Sequence, residues 1–345
     1  MTSLRALLLL LSVLMLGGCA EKKEPLYQEQ GYVFGTLVEV SIYGKPEDEA
    51  KLAVSEVMQE FQRLHTMLHA WQPSELSELN DGLAHGDSVA VSDEMAAILK
   101  DAAQLSKQAH GMFNPAIGGL VALWGFHADE FKPVQPADKD ITALVAANPQ
   151  MSDLSIERGR VESKNSAVQI DLGGYAKGYA LDRAAMLLHQ RGINNALINI
   201  GGNVLALGKH GERSWKVGIQ HPRKSGAIAS MELHDGEAIG TSGDYQRYFM
   251  IGNVRYCHII NSHTGYPMQA VQEVTVITHG PQAGVLSDVD SKPLFISGAK
   301  GWRNAAKLMA VDEAMLVDEQ GRVHLTAAMQ KRLEFTDKNT NMEVE

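Results

Sequence analysis

Residues 171–182 read DLGGYAKGYALD, and this stretch separates two different hydrophobic periods. Before the glycines, Val168, Ile170 and Leu172 alternate with polar residues and would share one face of a strand. After them, apolar residues recur at helical spacing as far as Gly192, a residue type that commonly ends helices. The stretch therefore predicts a strand, a glycine turn and a helix in direct succession.

The turn at Gly173 and Gly174 would place the start of a helix in front of a possible ligand. First-turn backbone N–H groups lack partners within the helix and lie at the positive end of its dipole, so an anionic group such as a phosphate suits them. The spacing GGxxxG matches neither the dinucleotide fingerprint nor the P-loop. By itself it leaves open a phosphate-binding turn or a tight packing turn.

The composition indicates a folded protein with a substantial core. Of 345 residues, 45% are hydrophobic and 21% are charged, enough for one large domain or two closely packed ones. The formal net charge is −10, and no basic stripe with interleaved aromatic residues occurs, so nucleic acid is not an expected partner.

The N-terminus has the pattern of a bacterial lipoprotein signal. Arg5 precedes an apolar run at 7–16 that is too short to span a bilayer, and the run ends in Leu-Gly-Gly-Cys at 16–19. The alternative is an ordinary secretory signal cut elsewhere. The pattern predicts a signal peptide at 1–19, a lipid on Cys19, a tether at 20–31, and a protein on the periplasmic side anchored to the inner membrane. Cys257 would then have no disulfide partner, and we interpret it as a core residue.

The rest of the chain mixes strands and helices. Residues 32–43 read as a strand and 47–69 as an amphipathic helix, and hairpin turns are indicated at Gly252-Asn253 and Gln320-Gly321. Because many connections look like hairpins, we expect an α+β fold with mainly antiparallel sheets and packed helices. The polar residues 336–345 predict a disordered tail, which leaves a folded domain at 32–335.

Five further motifs follow in order: GMFNP at 111–115, LWGF at 123–126, TSGDY at 241–245, HIINSHTGYP at 258–267 and SDVDSKPLF at 287–295. Together with the glycine turn they resemble the ApbE family of FAD:protein FMN transferases. The resemblance runs from about residue 32 to about residue 335. It implies an ApbE-like fold related to the T-fold.

The resemblance also implies a reaction. A Thr or Ser hydroxyl of an acceptor protein attacks the FMN-side phosphorus of FAD, AMP leaves, and FMN stays bound to the acceptor. With the lipoprotein signal, the expected acceptors are extracytoplasmic domains of respiratory or electron-transfer proteins. Two alternatives remain open, a flavin-binding lipoprotein without catalysis and a pyrophosphatase that splits FAD into FMN and AMP.

The resemblance assigns roles to individual residues. His258 is the expected base, although a strand histidine taken alone is more often structural. Asp288 and the carbonyl of Gly174 are the expected Mg²⁺ ligands. Lys177 and Asp171 are expected to contact FAD, and the alternative is that they form a surface ion pair. Trp71 is expected to pack on the flavin, and the alternative is that it buries apolar area at the end of a helix. The complete set of expected cofactor-binding residues is Phe34, Trp71, Met112, Phe113, Asn114, Asp171, Lys177 and Ile260.

Two positions depart from the family pattern. Lys292 stands where the family usually has a Thr or Ser metal ligand, and a protonated ammonium cannot ligate a metal. Asn261 replaces an aspartate. Three outcomes are open: Asp290 or Ser291 substitutes as ligand, Lys292 contacts the pyrophosphate in place of part of the metal charge, or transfer is weakened. Mg²⁺ dependence is therefore in doubt.

Overall fold

The structure, a computed structural model, describes residues 25–128, 130 and 132–344. The predicted signal peptide, Cys19 and most of the predicted tether lie outside these residues. None of the helices within them is sufficiently long and apolar to cross a bilayer.

The described residues form eight α-helices and seventeen strands. The helices are α1 Glu47–Met67, α2 Glu75–His85, α3 Asp93–Gln108, α4 Gly118–Leu123, α5 Asp138–Ala147, α6 Ala176–Gln190, α7 Ala283–Leu308 and α8 Ala327–Gln330. The strands are β1 Leu26–Val33, β2 Thr36–Tyr43, β3 Val89–Ala90, β4 Leu154–Glu157, β5 Arg160–Ser163, β6 Ala196–Ile200, β7 Asn203–Leu207, β8 Trp215–Gln220, β9 Ala227–Leu233, β10 Glu237–Gly243, β11 Tyr248–Ile251, β12 Val254–Cys257, β13 Val271–His279, β14 Glu313–Asp318, β15 Val323–Leu325, β16 Glu334–Phe335 and β17 Met342–Val344.

A nine-stranded sheet organises the molecule, in the order β1-β2-β6-β7-β10-β13-β14-β15-β17. Its pairs are antiparallel except β15 with β17. One face carries α1, α6 and α7, and the other packs against the small sheet β16-β9-β8. This arrangement confirms the predicted α+β class with mainly antiparallel sheets.

Alternation along the strands explains the three layers. On β10 and β13, Ile239 and Ile277 face the small sheet, whereas Val274 and Val276 join the core under α7. Helix α7 is interrupted at Gly298, whose φ of 63° is not helical, so the segment consists of two consecutive helices. The expected two-residue hairpin turn at Gly252-Asn253 joins β11 and β12, with Ile251 opposite Val254.

Three local predictions are wrong. Residues 26–33, expected to be mostly tether, form β1 and pair with β2 through a turn at Phe34-Gly35. Residues 342–344, expected in a disordered tail, form β17 along β15. The strand before the glycine turn is reduced to one isolated bridge between Ile117 and Gln169, although Val168, Ile170 and Leu172 are buried as the alternation requires. In each case the partner available for backbone pairing decided the local structure: β2 for β1, β15 for β17, and Ile117 alone for the segment before the glycine turn.

Candidate active site

The glycine turn leads directly into α6, as the sequence predicts. The N–H of Gly173 donates to Asp171 Oδ1 at 2.7 Å, which fixes the turn. Further into the helix, the N–H of Gly178 donates to Asp288 Oδ2 at 3.1 Å. The helix start therefore already accepts a carboxylate from α7, and an anionic ligand would have to share this region with Asp288.

Helices α6 and α7 cross at two glycines. A Cβ on Gly178 would lie 2.3 Å from the carbonyl oxygen of Gly284, and a Cβ on Gly284 would lie 2.4 Å from the carbonyl oxygen of Gly178. Asp182 joins the same crossing, because its carboxylate accepts from the N–H groups of Gly284 and Val285 at 2.8 and 2.9 Å. The helices thus approach closely enough to bring Lys177 and Asp288 together.

Asp288 is 1% exposed, and a lysine neutralises it. Lys292 Nζ lies 2.5 Å from Asp288 Oδ1 and 2.5 Å from the backbone oxygen of Asp288. Burial alone would oppose ionisation, but Lys292 and Lys177 hold the pKa of Asp288 below its ordinary value. The site therefore contains an ionised, paired carboxylate.

Two lysines act on this carboxylate, and the same lysines and Arg247 act on His258. Lys177, Lys292 and Arg247 all act electrostatically on His258, and Lys177 and Lys292 also act on Asp288. Desolvation lowers the pKa of Lys177, and Asp288 counteracts that effect. The two ammonium groups exceed the single negative charge of Asp288, as an anion-binding site requires.

His258 follows β12 and is half-buried. Its backbone N–H donates to the carbonyl of Arg247 at 3.1 Å, and its Nδ1 lies 3.3 Å from the same oxygen. Burial first, and then the neighbouring cations, lower the pKa of His258 to about 3. The imidazole is therefore neutral at physiological pH and is able to accept a proton.

Aromatic groups adjoin the glycine turn. Trp71 Nε1 donates to Asp171 Oδ2 at 3.1 Å, and its ring lies 5.5 Å from that of His127. Phe113 packs against the turn, since its Cε2 is 3.6 Å from the position of a Cβ on Gly174. The structure thus brings Trp71, Phe113, Asp171 and Gly174 together, and the alternative of a surface ion pair for Asp171 is not what is found.

Other expected cofactor residues are placed less directly. Phe34 sits in the β1–β2 turn, where its ring contacts His65 at 5.6 Å, and His65 in turn contacts His69, whose Nδ1 accepts from the N–H of Trp71. Met112 lies beside α7, with its sulfur 3.3 Å from Ser297 Oγ. The structure thus connects Phe34 to Trp71 through two histidines, and Met112 directly precedes Phe113 in the chain.

Two expected cofactor residues are engaged within the fold. Asn114 is 7% exposed, donates to the carbonyl of Pro149 and accepts from the N–H of Ala116. Ile260 is 5% exposed and packs in the apolar cluster around Trp124. Their side chains therefore shape the loops that carry Phe113 and His258.

The Asn261 substitution has a local explanation. Its Oδ1 accepts from the N–H of His263 at 2.9 Å, and its carbonyl accepts from Thr264 and Gly265. An asparagine oxygen makes this turn contact as well as a carboxylate does. Asn261 therefore holds the turn after His258 without adding a charge.

A divalent metal at Asp288 requires free oxygen ligands, and the arrangement does not provide them. Lys292 occupies Asp288 Oδ1. Ser291 Oγ is hydrogen-bonded to Ser242 Oγ at 2.7 Å and donates to the backbone oxygen of Asp288 at 2.9 Å. Asp290 is buried two residues further along α7, on roughly the opposite side of the helix. No group of three or more His, Cys, Asp or Glu side chains suited to a metal occurs among the described residues. The residues as arranged do not fit Mg²⁺.

Two contributors to the site were not expected. Arg247 directly follows the TSGDYQ segment, and its proximity to His258 depends on the β11–β12 hairpin folding back. The second is Asp182, which accepts from the first N–H groups of α7 and so caps that helix. Helix α7 begins after Gln282, which provides no capping side chain, and this could have indicated that a residue from another element caps the helix.

Comparison with known proteins identifies the family of this chain. An FAD:protein FMN transferase of Rhodobacter capsulatus is 40% identical over 313 residues, covering 91% of this chain, and the chain spans 59% of that relative's length. One of Vibrio cholerae is 30% identical over 79% of this chain and 82% of that protein. The crystal structure of an ApbE protein from Thermotoga maritima superposes with a TM-score of 0.81 at 28% identity, covering 89% of this chain and 99% of that one. The ApbE family model matches residues 34–316, and the chain belongs to the ApbE family.

Proposed function

We propose that this protein transfers FMN from FAD to a Thr or Ser hydroxyl of an acceptor protein. One observation carries the proposal: Lys177, Lys292 and Arg247 lie within electrostatic range of a neutral His258, and Trp71 and Phe113 adjoin the glycine turn from which Lys177 follows. A cationic centre suits the diphosphate of FAD, and an aromatic border suits its flat rings. The relatives named above carry the same activity in their names.

In the proposed reaction, the acceptor oxygen forms a bond to the FMN-side phosphorus while the bond from that phosphorus to the bridging oxygen breaks. The electron pair of the broken bond leaves on AMP. His258 accepts the proton of the attacking hydroxyl, which its neutral form allows. The cations stabilise the charge that develops on the phosphoryl oxygens and on the leaving group, which is the main requirement of phosphoryl transfer.

The remaining residues would position FAD. Trp71 is held by Asp171 at the turn, and Phe113 packs against Gly174. Phe34 and Met112 would extend the apolar border that Trp71 and Phe113 form. We place the flavin or adenine ring against this border and the diphosphate at the start of α6.

We further propose that the protein acts outside the cytoplasm, anchored to the inner membrane by a lipid on Cys19. The signal pattern at 1–19 supports this location. Acceptors there would be extracytoplasmic domains of respiratory or electron-transfer proteins, which carry flavin as a redox group.

The test is covalent labelling of an acceptor domain that has a single reactive threonine. Wild-type protein, FAD and acceptor are incubated, and the products are separated on a denaturing gel and by chromatography. We expect a fluorescent acceptor band and release of one AMP per FMN attached. His258→Ala should lose the band by roughly 100-fold or more, a typical effect of removing a general base, while still binding FAD.

His263→Ala is the matched control, because His263 is an exposed histidine on the neighbouring turn. It should label the acceptor at the wild-type rate. Free FMN and AMP without a fluorescent band would instead identify a pyrophosphatase. Tight FAD binding without AMP release would identify a flavin-binding protein, and either result would overturn the proposal.

A further inference from the structure

The oxygens of Asp288 are all engaged by this chain. Oδ1 accepts from Lys292 Nζ at 2.5 Å, and Oδ2 accepts from the N–H of Gly178 at 3.1 Å. The backbone oxygen accepts from Lys292 Nζ and from Ser291 Oγ. A cation that bound Asp288 would first have to displace the Lys292 ammonium.

Lys292 is built into this position. A Cβ on residue 174 would lie 3.0 Å from Lys292 Cε and 3.7 Å from its Cδ, so the lysine stem passes directly over Gly174. Its side chain is 17% exposed, and its ammonium is held by two oxygens of Asp288 one helical turn back. The charge is therefore fixed at the glycine turn and does not extend freely into solvent.

The charges around Asp288 favour an anion over a second cation. Lys177 and Lys292 both act on the carboxylate of Asp288, so the two ammonium groups exceed it by one positive charge. His258 adds none while it is neutral. A phosphate of the diphosphate diester, which carries one negative charge, balances this excess. A divalent cation added beside Asp288 would instead face repulsion from both ammonium groups.

We propose that Lys292 is a resident cation that takes the place of a divalent metal at Asp288 and binds the diphosphate directly. The ammonium uses two donors on Asp288 and has a third for a phosphoryl oxygen. Lys292 is thus a substrate-binding residue of the transfer reaction, and Asp288 is a positioning residue that acts through it. This proposal rests on the proposed function for the identity of the diphosphate.

The first experiment measures metal binding without any reaction. Mn²⁺ is titrated into FAD-free protein, and free Mn²⁺ is followed by electron paramagnetic resonance. Wild type should bind no Mn²⁺ up to millimolar concentration. Lys292→Thr, which supplies a hydroxyl ligand and removes the ammonium, should bind it. Lys300→Thr, an exposed lysine later on α7, is the matched control and should behave as wild type.

The second experiment measures transfer to the threonine acceptor with chelator and with increasing Mg²⁺. Wild type and Lys300→Thr should transfer FMN in chelator and gain less than tenfold from Mg²⁺. Lys292→Thr should be inactive in chelator and recover by at least tenfold with Mg²⁺. Lys292→Met should be roughly 100-fold slower at every Mg²⁺ concentration, the usual effect of removing a preorganised charge partner.

The two proposals fail in different ways. Superimposable Mg²⁺ curves for wild type and Lys292→Thr, or Mn²⁺ binding by wild type, would overturn the role of Lys292 and leave FMN transfer standing. Absence of transfer by wild type at every Mg²⁺ concentration would overturn the proposed function. In that case the Mn²⁺ titration still decides whether Lys292 excludes a metal from Asp288. If Lys292→Thr does not fold, metal-dependent transfer by wild type alone would refute the proposal.

Discussion

At the scale of single residues, His258 shows how surroundings set chemistry. An unperturbed histidine titrates close to neutral pH. In His258, burial contributes most to disfavouring the charged form, followed by Arg247, Lys177 and Lys292. The folded pKa is lowered to about 3, so the neutral, proton-accepting form predominates throughout the physiological pH range. Its availability as a base is consequently not limited by acidification over the physiological range.

We therefore predict that kcat/KM for transfer shows no acid limb caused by His258 between about pH 5 and about pH 8. The imidazole resonance that disappears in His258→Ala should likewise not titrate over this range in FAD-free protein. Lys177→Met removes one neighbouring cation and should move the titration upward. An inflection of the His258 resonance near its unperturbed value in wild type would contradict the placement of the imidazole among cations.

At the scale of elements, the crossing of α6 and α7 positions the site. Gly178 and Gly284 lack side chains at the point of closest approach, and Asp182 caps the start of α7 from α6. Lys177 and Asp288 are each adjacent to this crossing, one on either helix. A larger separation between α6 and α7 would therefore increase the distance between the Lys177 ammonium and the Asp288 carboxylate.

Gly178→Ala should disturb this crossing. The added Cβ would lie 2.3 Å from a backbone oxygen and 2.7 Å from Val285 Cα, neither of which can rotate away. We expect the free energy of unfolding to fall by about 1–3 kcal/mol, as for other overpacked sites, and FAD affinity to fall with it. Urea denaturation and flavin fluorescence titration measure both. Met186→Ala is the control, because the side chain of Met186 lies on the same helix and is 38% exposed. Equal free energies of unfolding for the two variants would refute the close approach of the helices.

At the scale of the whole molecule, the site lies between segments that are far apart in sequence. Trp71 donates a hydrogen bond to Asp171, which lies 100 residues later in the sequence, and Gly178 donates one to Asp288, 110 residues later. The antiparallel sheet makes this possible, because α6 and α7 lie on the same face of strands that are distant in the chain. The N-terminal segment before this body would connect it to a membrane.

Acylation of Cys19 is a separate prediction for the whole molecule. Cys19→Ala should fold and lose lipid, whereas Cys257→Ala should retain it, because Cys257 is buried in the core. Lipid chains contribute about 0.8 kcal/mol per buried CH₂, so the variant should also leave the membrane fraction. Incorporation of a radioactive fatty acid, compared among the three proteins, is the measurement. Equal labelling of Cys19→Ala would rule out the lipid anchor.

Several features were determined by the sequence alone, since they depend on neighbouring residues. The helix after the glycine turn and the two-residue hairpin at Gly252-Asn253 follow from local periodicity and from glycine conformations. The motif order identified the family. Even the Lys292–Asp288 pair is a helical i, i+4 pair, which the spacing allows.

Only the tertiary structure decided which groups share the site and in what state. In the folded protein Arg247 lies beside His258, and the Lys292 ammonium pairs with Asp288 and does not extend into solvent. Residues 26–33 and 342–344 form strands because β2 and β15 are there to pair with them. The physical reason is that charge pairing, pKa shifts and strand pairing depend on the distances between segments. Those distances are set by the sheet and by the α6–α7 crossing, and no local pattern of residues contains them.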